Sequence, residues 1–310
     1  GEDEFFDNNL IINDIIAEVQ RDTSKSPEGE KVIDAGGFTV TPGFIDTHSH
    51  GDPLETPEFR NFLAMGITTI TLGQDGFSPE VNDLTTWFNK VDAVRPAVNI
   101  AIFAGHNTLR KLSGINYETK PLIKKREVQQ QILREAIRAG AFGMTTGLEY
   151  SPGDFSGHQE LQELAEVVGK ENGIIMSHLR NEDDNEVESS LRELLAQGEF
   201  CPVHVSHLKV VYDKGEQRAK EILNLLDSAR AEGIKVTADV YPYTASHTGI
   251  AILFPDWAKE PNNFKEVVSK RREELENYLR EKVVQRNGPE STLIGSGTYT
   301  GKTLADLVED

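Results

Sequence analysis

From residue 43 onward, short apolar runs alternate with longer stretches in which apolar residues recur every three or four positions. Short apolar runs are typical of buried strands and the longer stretches of surface helices, so the order is that of repeated βα units around a parallel sheet. Seven strands are predicted, at 43–48, 67–73, 97–104, 141–147, 173–178, 202–207 and 234–240. Helices are predicted between and after them, including 127–139, 158–172, 186–197, 215–232 and a highly charged one at 262–287. The fold class is therefore α/β, and an eighth strand would close a barrel.

Residues 9–40 follow a different pattern, in which short apolar runs are separated by turn residues such as Gly36 and Gly37. This pattern predicts a few small strands outside the main domain. We expect two domains, a partial β-segment at 1–42 and the main α/β domain at 43–310. The first residue is Gly1 and the last ten residues begin a helical pattern, so the chain is expected to be part of a longer polypeptide.

Length and charge narrow the classes of function. The 310 residues suffice for one α/β barrel of about 250 residues. The formal net charge of −19 argues against nucleic acid or an anionic membrane as a partner, since both require basic patches. No apolar run approaches the length of about 20 residues that spans a bilayer, and the single Cys201 excludes an internal disulfide framework. A cytoplasmic protein is expected, whose oligomeric state the sequence leaves open.

The first predicted strand ends in two histidines, His48 and His50. Residues i and i+2 of a strand project from the same face, so both imidazoles point the same way. Neutral imidazole is the commonest protein ligand of zinc and similar metals. The pair therefore predicts one half of a metal site.

Other chemically active residues lie at the ends of the later strands, and in a parallel barrel these ends converge on one rim. They are Asp75, His106, Glu149, Tyr150, His178, His207, Asp239, Tyr241 and Tyr243. A single histidine at a strand end is more often a structural hydrogen-bonding group than a ligand, and His204 is expected to face the other side of its strand from His207. The joint placement of His48, His50, His178 and His207 is much harder to explain by packing, so we predict that these four hold metal.

Six motifs extend the pattern over nearly the whole chain: GFIDTHSH at 43–50, GITT at 66–69, GHNTLR at 105–110, TGLEY at 146–150, SHLK at 206–209 and YPYTA at 241–245. In this order they resemble the amidohydrolase superfamily, and within it the D-aminoacylase (N-acyl-D-amino-acid deacylase) group. The resemblance implies a (β/α)8 TIM-type barrel with a small β-sandwich built from both chain ends, here truncated before strand eight.

The resemblance also implies roles for individual residues. His48 and His50 correspond to the first metal pair, and His178 and His207 to the second. Lys209 and one of Tyr241 or Tyr243 would bind the substrate carboxylate, and His106 and Tyr150 complete the expected substrate-binding set. One or two divalent ions are implied, zinc foremost.

Two positions depart from the family pattern. D-aminoacylases usually place a bridging Cys after strand two, where this chain has Asp75. Glu149 ends strand four, where other superfamily members use a carboxylated Lys. We therefore predict that Glu149 bridges two metals with help from Asp75, and that oxygen in place of sulfur widens tolerance from zinc toward manganese or cobalt. The catalytic Asp of strand eight maps onto no residue here, since Asp239 belongs to strand seven.

The implied reaction is metal-dependent hydrolysis of the amide bond in an N-acyl-D-amino acid or a peptide-like relative. Three alternatives remain: another amidohydrolase such as an isoaspartyl dipeptidase or cyclic-amide hydrolase, a metal-binding barrel without catalysis, and a scaffold whose histidines are structural. The partner is then a small-molecule substrate, and the chain by itself is expected to be inactive because the strand-eight Asp is missing.

Overall fold

The computed structural model describes residues 8–13, 15–20, 24, 29–212 and 214–307. The chain divides into two compact units, residues 1–43 and 44–310. In the first unit, strands β1 (Asn8–Ile12) and β2 (Ile15–Gln20) form an antiparallel hairpin with a register shift between Leu10 and Ile11.

Parallel strands in sequence order build the second unit. Each short apolar run pairs with the run that precedes it, as expected when a helix connects one strand to the next. A three-stranded sheet contains β3 (Phe44–Asp46), β4 (Ile67–Leu72) and β5 (Asn99–Ile102). A five-stranded sheet contains β6 (Ala104–Gly105), β7 (Gly143–Gly147), β8 (Ile174–His178), β9 (Val203–Val205) and β10 (Val236–Ala238).

The predicted strand 97–104 is split at Phe103 into β5 and β6. The backbone N–H of Phe103 donates to the carbonyl of Leu72 at 3.0 Å, so the chain stays paired across the break. A close approach explains the local distortion: a Cβ on Gly73 would lie 2.2 Å from the Phe103 carbonyl oxygen. Gly73 has a φ of +82°, which glycine adopts without strain.

Eight helices lie in the second unit: α1 (Arg60–Ala64), α2 (Leu84–Val94), α3 (His106–Leu112), α4 (Ile123–Ala139), α5 (His158–Lys170), α6 (Val187–Gln197), α7 (Gly215–Ala231) and α8 (Phe264–Gln285), all within the described ranges. Helix α5 shows why they form, since Leu161, Leu164, Ala165 and Val168 recur at helical spacing and are buried. The charged helix α8 buries Leu275 alone among its residues, as a solvated helix should.

The core of the α/β unit lies between the strands and the helices that cover them. Leu133, Met144, Ile175, Leu191 and Val203 belong to its larger cluster and are fully buried. The chain is thus α/β with parallel sheets; in the part the structure describes, no strand pairing joins β10 back to β3. No described helix combines the length and apolar character that crossing a membrane demands.

Candidate metal centre

Four histidines from three different strands meet at one end of the parallel strands. His48 and His50 follow β3, His178 is the last residue of β8, and His207 lies just beyond β9. The ring centroid of His207 is 5.1 Å from that of His48 and 4.7 Å from that of His178. The His48 and His50 rings are 5.3 Å apart. The structure therefore brings together the four histidines that the sequence singled out.

Asp75 lies at the centre of these histidines, in the turn that follows β4. Its Oδ1 atom is 3.4 Å from Nε2 of His48, 3.5 Å from Nε2 of His207 and 3.8 Å from Nδ1 of His178. Its Oδ2 atom is 3.2 Å from Nε2 of His50. The buried Oδ1 has no hydrogen-bond partner within the described part of the chain.

The turn that carries Asp75 is held from both sides. Asp75 has a φ of +53° between Gly73 and Gly76, which also have positive φ. The Nε2 atom of Gln74 donates to the Thr47 carbonyl at 3.2 Å, and the Gly76 N–H donates to Oγ1 of Thr145 at 3.2 Å. These two hydrogen bonds fix the backbone of the turn and therefore the position from which the Asp75 carboxylate extends.

Two groups of ligand atoms share Asp75: one is His48, His50 and Asp75, and the other is Asp75, His178 and His207. Donor atoms that sit about 2.0 to 2.2 Å from a tetrahedral ion lie about 3.3 to 3.6 Å from one another. The separations around Asp75 match this spacing better than the spacing of hydrogen bonds, about 2.7 to 3.2 Å. Imidazole nitrogen and carboxylate oxygen suit zinc, manganese or cobalt, so the residues fit a divalent ion.

The electrostatics of Asp75 favour the charged form. Burial alone would raise the pKa of Asp75, but the adjacent imidazoles of His207, His48 and His50 outweigh burial and hold that pKa well below its usual range. For His207, burial opposes protonation, but Asp75 and Glu182 raise its pKa to about 9. The ionised form of Asp75 offers negative charge to a divalent cation, whose binding displaces protons from the histidines.

A third group joins Glu149, His178 and Glu182. Oε2 of Glu149 is 3.1 Å from Nε2 of His178, the ring nitrogen opposite the one that faces Asp75. Oε1 of Glu149 lies 3.6 Å from Nη2 of Arg286. Asp75, rather than Glu149, is thus the carboxylate common to the two groups above, and ligation by Glu149 stays a prediction.

Sequence reasoning missed Glu182, which is 5% exposed. Its Oε1 is 3.0 Å from Nδ1 of His207, and its Oε2 is 2.6 Å from Nζ of Lys209. Burial would raise the pKa of Glu182, but His207, His178 and Lys209 lower it to about 2. Its position four residues beyond His178, in a loop at the strand ends, is the signal that could have identified it.

His204 is a correction to the sequence analysis. The sequence predicts that His204 faces the other side of the strand from His207, yet its Nε2 is 2.8 Å from Oδ2 of Asp239, and the other oxygen of Asp239 accepts the backbone N–H of His207. Strand β9 ends at Val205 and His207 has a φ of +39°, so side-chain alternation does not extend past the strand end.

Three residues of the expected substrate-binding set lie beside the histidines. Nζ of Lys209 is 5.7 Å from the ring centroid of Tyr241, and that ring is 6.5 Å from the ring of His207. The Tyr150 ring is 4.6 Å from that of His178, and burial raises the pKa of the Tyr150 hydroxyl. Their roles in substrate binding stay predictions.

Two residues of that set are not brought to the cluster. His106 is 0% exposed, and its Nε2 is 2.9 Å from Oε1 of Glu160. A fully enclosed ring cannot touch a substrate, so the expectation for His106 is corrected: its position at a strand end did not reveal that it begins helix α3 and faces α5. Tyr243 is 68% exposed, and no described contact joins it to the histidines.

No family model matches the chain. It is 33% identical over 268 residues to N-acyl-D-glutamate deacylase from Alcaligenes xylosoxydans xylosoxydans, covering 79% of this chain and 54% of the relative. D-aminoacylase from the same organism is 30% identical over 241 residues, covering 70% of this chain and 49% of the relative. The chain thus spans about half the length of the curated relatives it matches.

Solved structures give the same picture. The N-acyl-D-glutamate deacylase from Bordetella bronchiseptica, complexed with zinc and a phosphonate inhibitor that mimics the tetrahedral intermediate, is 34% identical with a TM-score of 0.62. That match covers 65% of this chain and 48% of the other. A D-aminoacylase crystal structure is 28% identical with a TM-score of 0.68, covering 74% of this chain and 53% of the other.

Proposed function

The chain belongs to the D-aminoacylase group of the amidohydrolase superfamily, and we propose that the protein hydrolyses the amide bond of N-acyl-D-amino acids at a divalent-metal centre. One observation carries the proposal: Asp75 lies in both ligand groups, where its carboxylate contacts His48, His50, His178 and His207. Asp75 takes the position at which the group usually has a bridging cysteine.

The metal ligands are then His48, His50, Asp75, His178 and His207, with Glu149 a further ligand candidate beside His178. Zinc is the first choice, and one or two ions are accommodated by the two groups that share Asp75. A bound divalent ion would polarise the scissile carbonyl and lower the pKa of a water to about 7. The protein holds these ligands at strand ends and on the hydrogen-bonded turn that carries Asp75, which keeps the donor atoms in fixed positions relative to one another.

Lys209 and Tyr241 are proposed to bind the α-carboxylate of the substrate. The Lys209 ammonium lies beside the Tyr241 ring, and its Nζ is 3.0 Å from Nδ1 of His207. A substrate carboxylate bound by Lys209 would therefore lie close to the histidines. Charge and a phenolic hydrogen bond would orient the amide for attack. Tyr150, with its ring against His178, is proposed to line the same side of the site.

The proposal predicts hydrolysis of N-acyl-D-amino acids that depends on added metal and on the configuration of the substrate. The zinc-loaded protein should be assayed, alone and extended through an eighth strand, against N-acetyl-D- and L-amino acids, an isoaspartyl dipeptide and a hydantoin. Preference for the D-acylated series, abolished by chelation and restored by zinc, supports the proposal. Preference for the dipeptide or the cyclic amide assigns a different amidohydrolase activity. Absence of turnover from both forms when zinc is bound overturns it.

We also propose that β3 to β10, in which β5 and β6 are the two parts of one predicted strand, supply seven strands of an eight-stranded barrel, since the strands of each parallel sheet pair in chain order. The proposed domains are a β-segment at 1–42 and the amidohydrolase barrel at 43–310. A cytoplasmic site of action is proposed on composition, because the single Cys201 suits a reducing compartment. Cell fractionation tests the location.

A further inference from the structure

The imidazole of His207 has two partners of opposite kind at its Nδ1 atom. Oε1 of Glu182 lies 3.0 Å from Nδ1, and Nζ of Lys209 also lies 3.0 Å from it. A carboxylate only accepts hydrogen bonds and an ammonium only donates them. The two partners therefore favour different tautomers of the neutral ring.

Only one of these tautomers suits a metal ligand. Nε2 of His207 is directed at the ligand cluster, 3.5 Å from Oδ1 of Asp75 and 3.0 Å from Nδ1 of His178. When Nδ1 carries the proton and donates to Glu182, the lone pair of Nε2 is free for a metal. When Lys209 donates to Nδ1, the ring proton sits on Nε2 and this atom cannot ligate.

Glu182 is placed to prevent the second arrangement. It accepts from Lys209 at 2.7 Å through Oε1 and lies 2.6 Å from Nζ through Oε2, both closer than Lys209 lies to the ring. The carboxylate is 5% exposed, so water competes little for its lone pairs. The buried Glu182 carboxylate thus pairs with the Lys209 ammonium and also accepts a hydrogen bond from the Nδ1–H of His207.

The neighbouring ligand is arranged in the same way. His178 directs Nδ1 toward Asp75 and His207, while its Nε2 lies 3.1 Å from Oε2 of Glu149. A carboxylate on the far nitrogen of a ligating histidine fixes its tautomer and ring orientation in many metal sites. The carboxylate at His207 differs because it also holds a lysine that would otherwise donate to the ring.

We propose that Glu182 is a positioning residue that fixes the tautomer of His207 by accepting a hydrogen bond from its Nδ1–H and by pairing with the Lys209 ammonium, which would otherwise donate to that atom. The inference rests on the proposed metal centre. It assigns to Lys209 a second effect, since this cation works against metal binding as soon as Glu182 is removed.

The test measures zinc affinity by competition with a chromophoric chelator for four proteins: the parent chain, Glu182→Ala, Lys209→Met and the double variant. Loss of such an outer carboxylate typically weakens metal binding by about 10- to 100-fold, and this loss is expected for Glu182→Ala. Lys209→Met alone should bind zinc at least as well as the parent. The double variant should recover part of the affinity, because no donor then competes for Nδ1.

A matched control removes another paired glutamate far from the cluster. Glu163 pairs with Arg126 between α5 and α4, and Glu163→Ala should leave zinc affinity unchanged. If Glu182→Ala fails to fold, Glu182→Gln carries the same comparison, because it keeps the shape of the side chain. Recovery by Lys209→Met in the Gln background is again the expected result.

A spectroscopic readout separates tautomer control from a merely structural role. In the zinc-loaded parent, the Nδ1–H of His207 should give a slowly exchanging imino proton correlated to a ring ¹⁵N. This signal should be present in Lys209→Met and lost in Glu182→Ala. Retention of the signal and of full zinc affinity in Glu182→Ala overturns the assignment, as does a double variant no better than Glu182→Ala. A parent chain that binds no zinc overturns the proposed function itself, and the assignment with it.

Discussion

Oε2 of Glu149 lies 3.1 Å from Nε2 of His178, so this carboxylate contacts the edge of the ring that points away from Asp75. The Glu149→Gln variant keeps the shape of the side chain and removes its charge. We expect it to lose at least one bound metal per chain, because either a ligand or the partner of a ligand is neutralised. Elemental analysis of the zinc-loaded variant measures this. Glu166→Gln, which removes an exposed partner of Lys170, is the control; metal content equal to that of the parent would make Glu149 a purely structural residue.

Asp75 should decide which metal the site prefers. Asp75→Ala removes the carboxylate that both ligand groups share, so we expect zinc content to fall below one ion per chain. Asp75→Cys restores the kind of ligand that the group usually has there, and a thiolate favours zinc over manganese. The ratio of bound zinc to manganese after dialysis against both should therefore rise in Asp75→Cys relative to the parent. Unchanged zinc content in Asp75→Ala would contradict the shared-ligand role.

Substrate orientation should depend on Lys209. In a protein that shows deacylase activity, Lys209→Met should lower kcat/KM for N-acyl-D-amino acids, while amidated substrates, which lack the α-carboxylate, should be affected much less. Lys111→Met, which removes an exposed partner of Glu80, provides the control. Equal losses on both kinds of substrate would exclude a carboxylate-binding role for Lys209.

Much of this centre could be predicted because the ends of buried strands can be recognised in the sequence from where each apolar run stops. His48, His178 and His207 lie at the ends of apolar runs that become parallel strands, and the ends of parallel strands converge on one rim. The loop residue Glu182 lies near a strand end in the sequence, but its contact with His207 was not predicted, since that contact depends on the path of an irregular segment. His106 misled for another reason: a position after a strand does not reveal whether the side chain points into the site or under a helix.

The buried network around His106 should make stability depend on pH. Glu160 accepts from Nε2 of His106, from Gln129 and from Arg110. Burial would raise the pKa of Glu160, but these partners lower it to about 2 from its ordinary value of 4.5. A group with a depressed pKa contributes stability that is full above its unfolded value and is lost as pH falls toward its folded value.

This contribution is on the order of 3 kcal/mol and should disappear between about pH 4.5 and pH 2. Urea unfolding at several pH values should show a steeper loss of stability for the parent than for Glu160→Gln across that window. Glu160→Ala should be destabilised at neutral pH by about 3 to 5 kcal/mol, because Arg110 is left as an unpaired buried charge. Parallel pH profiles for the parent and Glu160→Gln would contradict the role of the ionised carboxylate.

The turn that presents Asp75 should tolerate no side chain at Gly73. Gly73→Ala combines a φ of +82° with a Cβ placed 2.2 Å from the Phe103 carbonyl oxygen, whereas Gly114→Ala has a φ of +70° and nothing within 4 Å. Both substitutions place an alanine in the left-handed region, which costs about 1 to 2 kcal/mol. Only Gly73→Ala also brings its Cβ into the backbone of Phe103, which must then move. We expect thermal unfolding to shift further for Gly73→Ala, and zinc affinity to fall in that variant alone, because Asp75 moves with the turn. Equal effects of the two substitutions on zinc affinity would mean that the turn adapts without displacing the carboxylate.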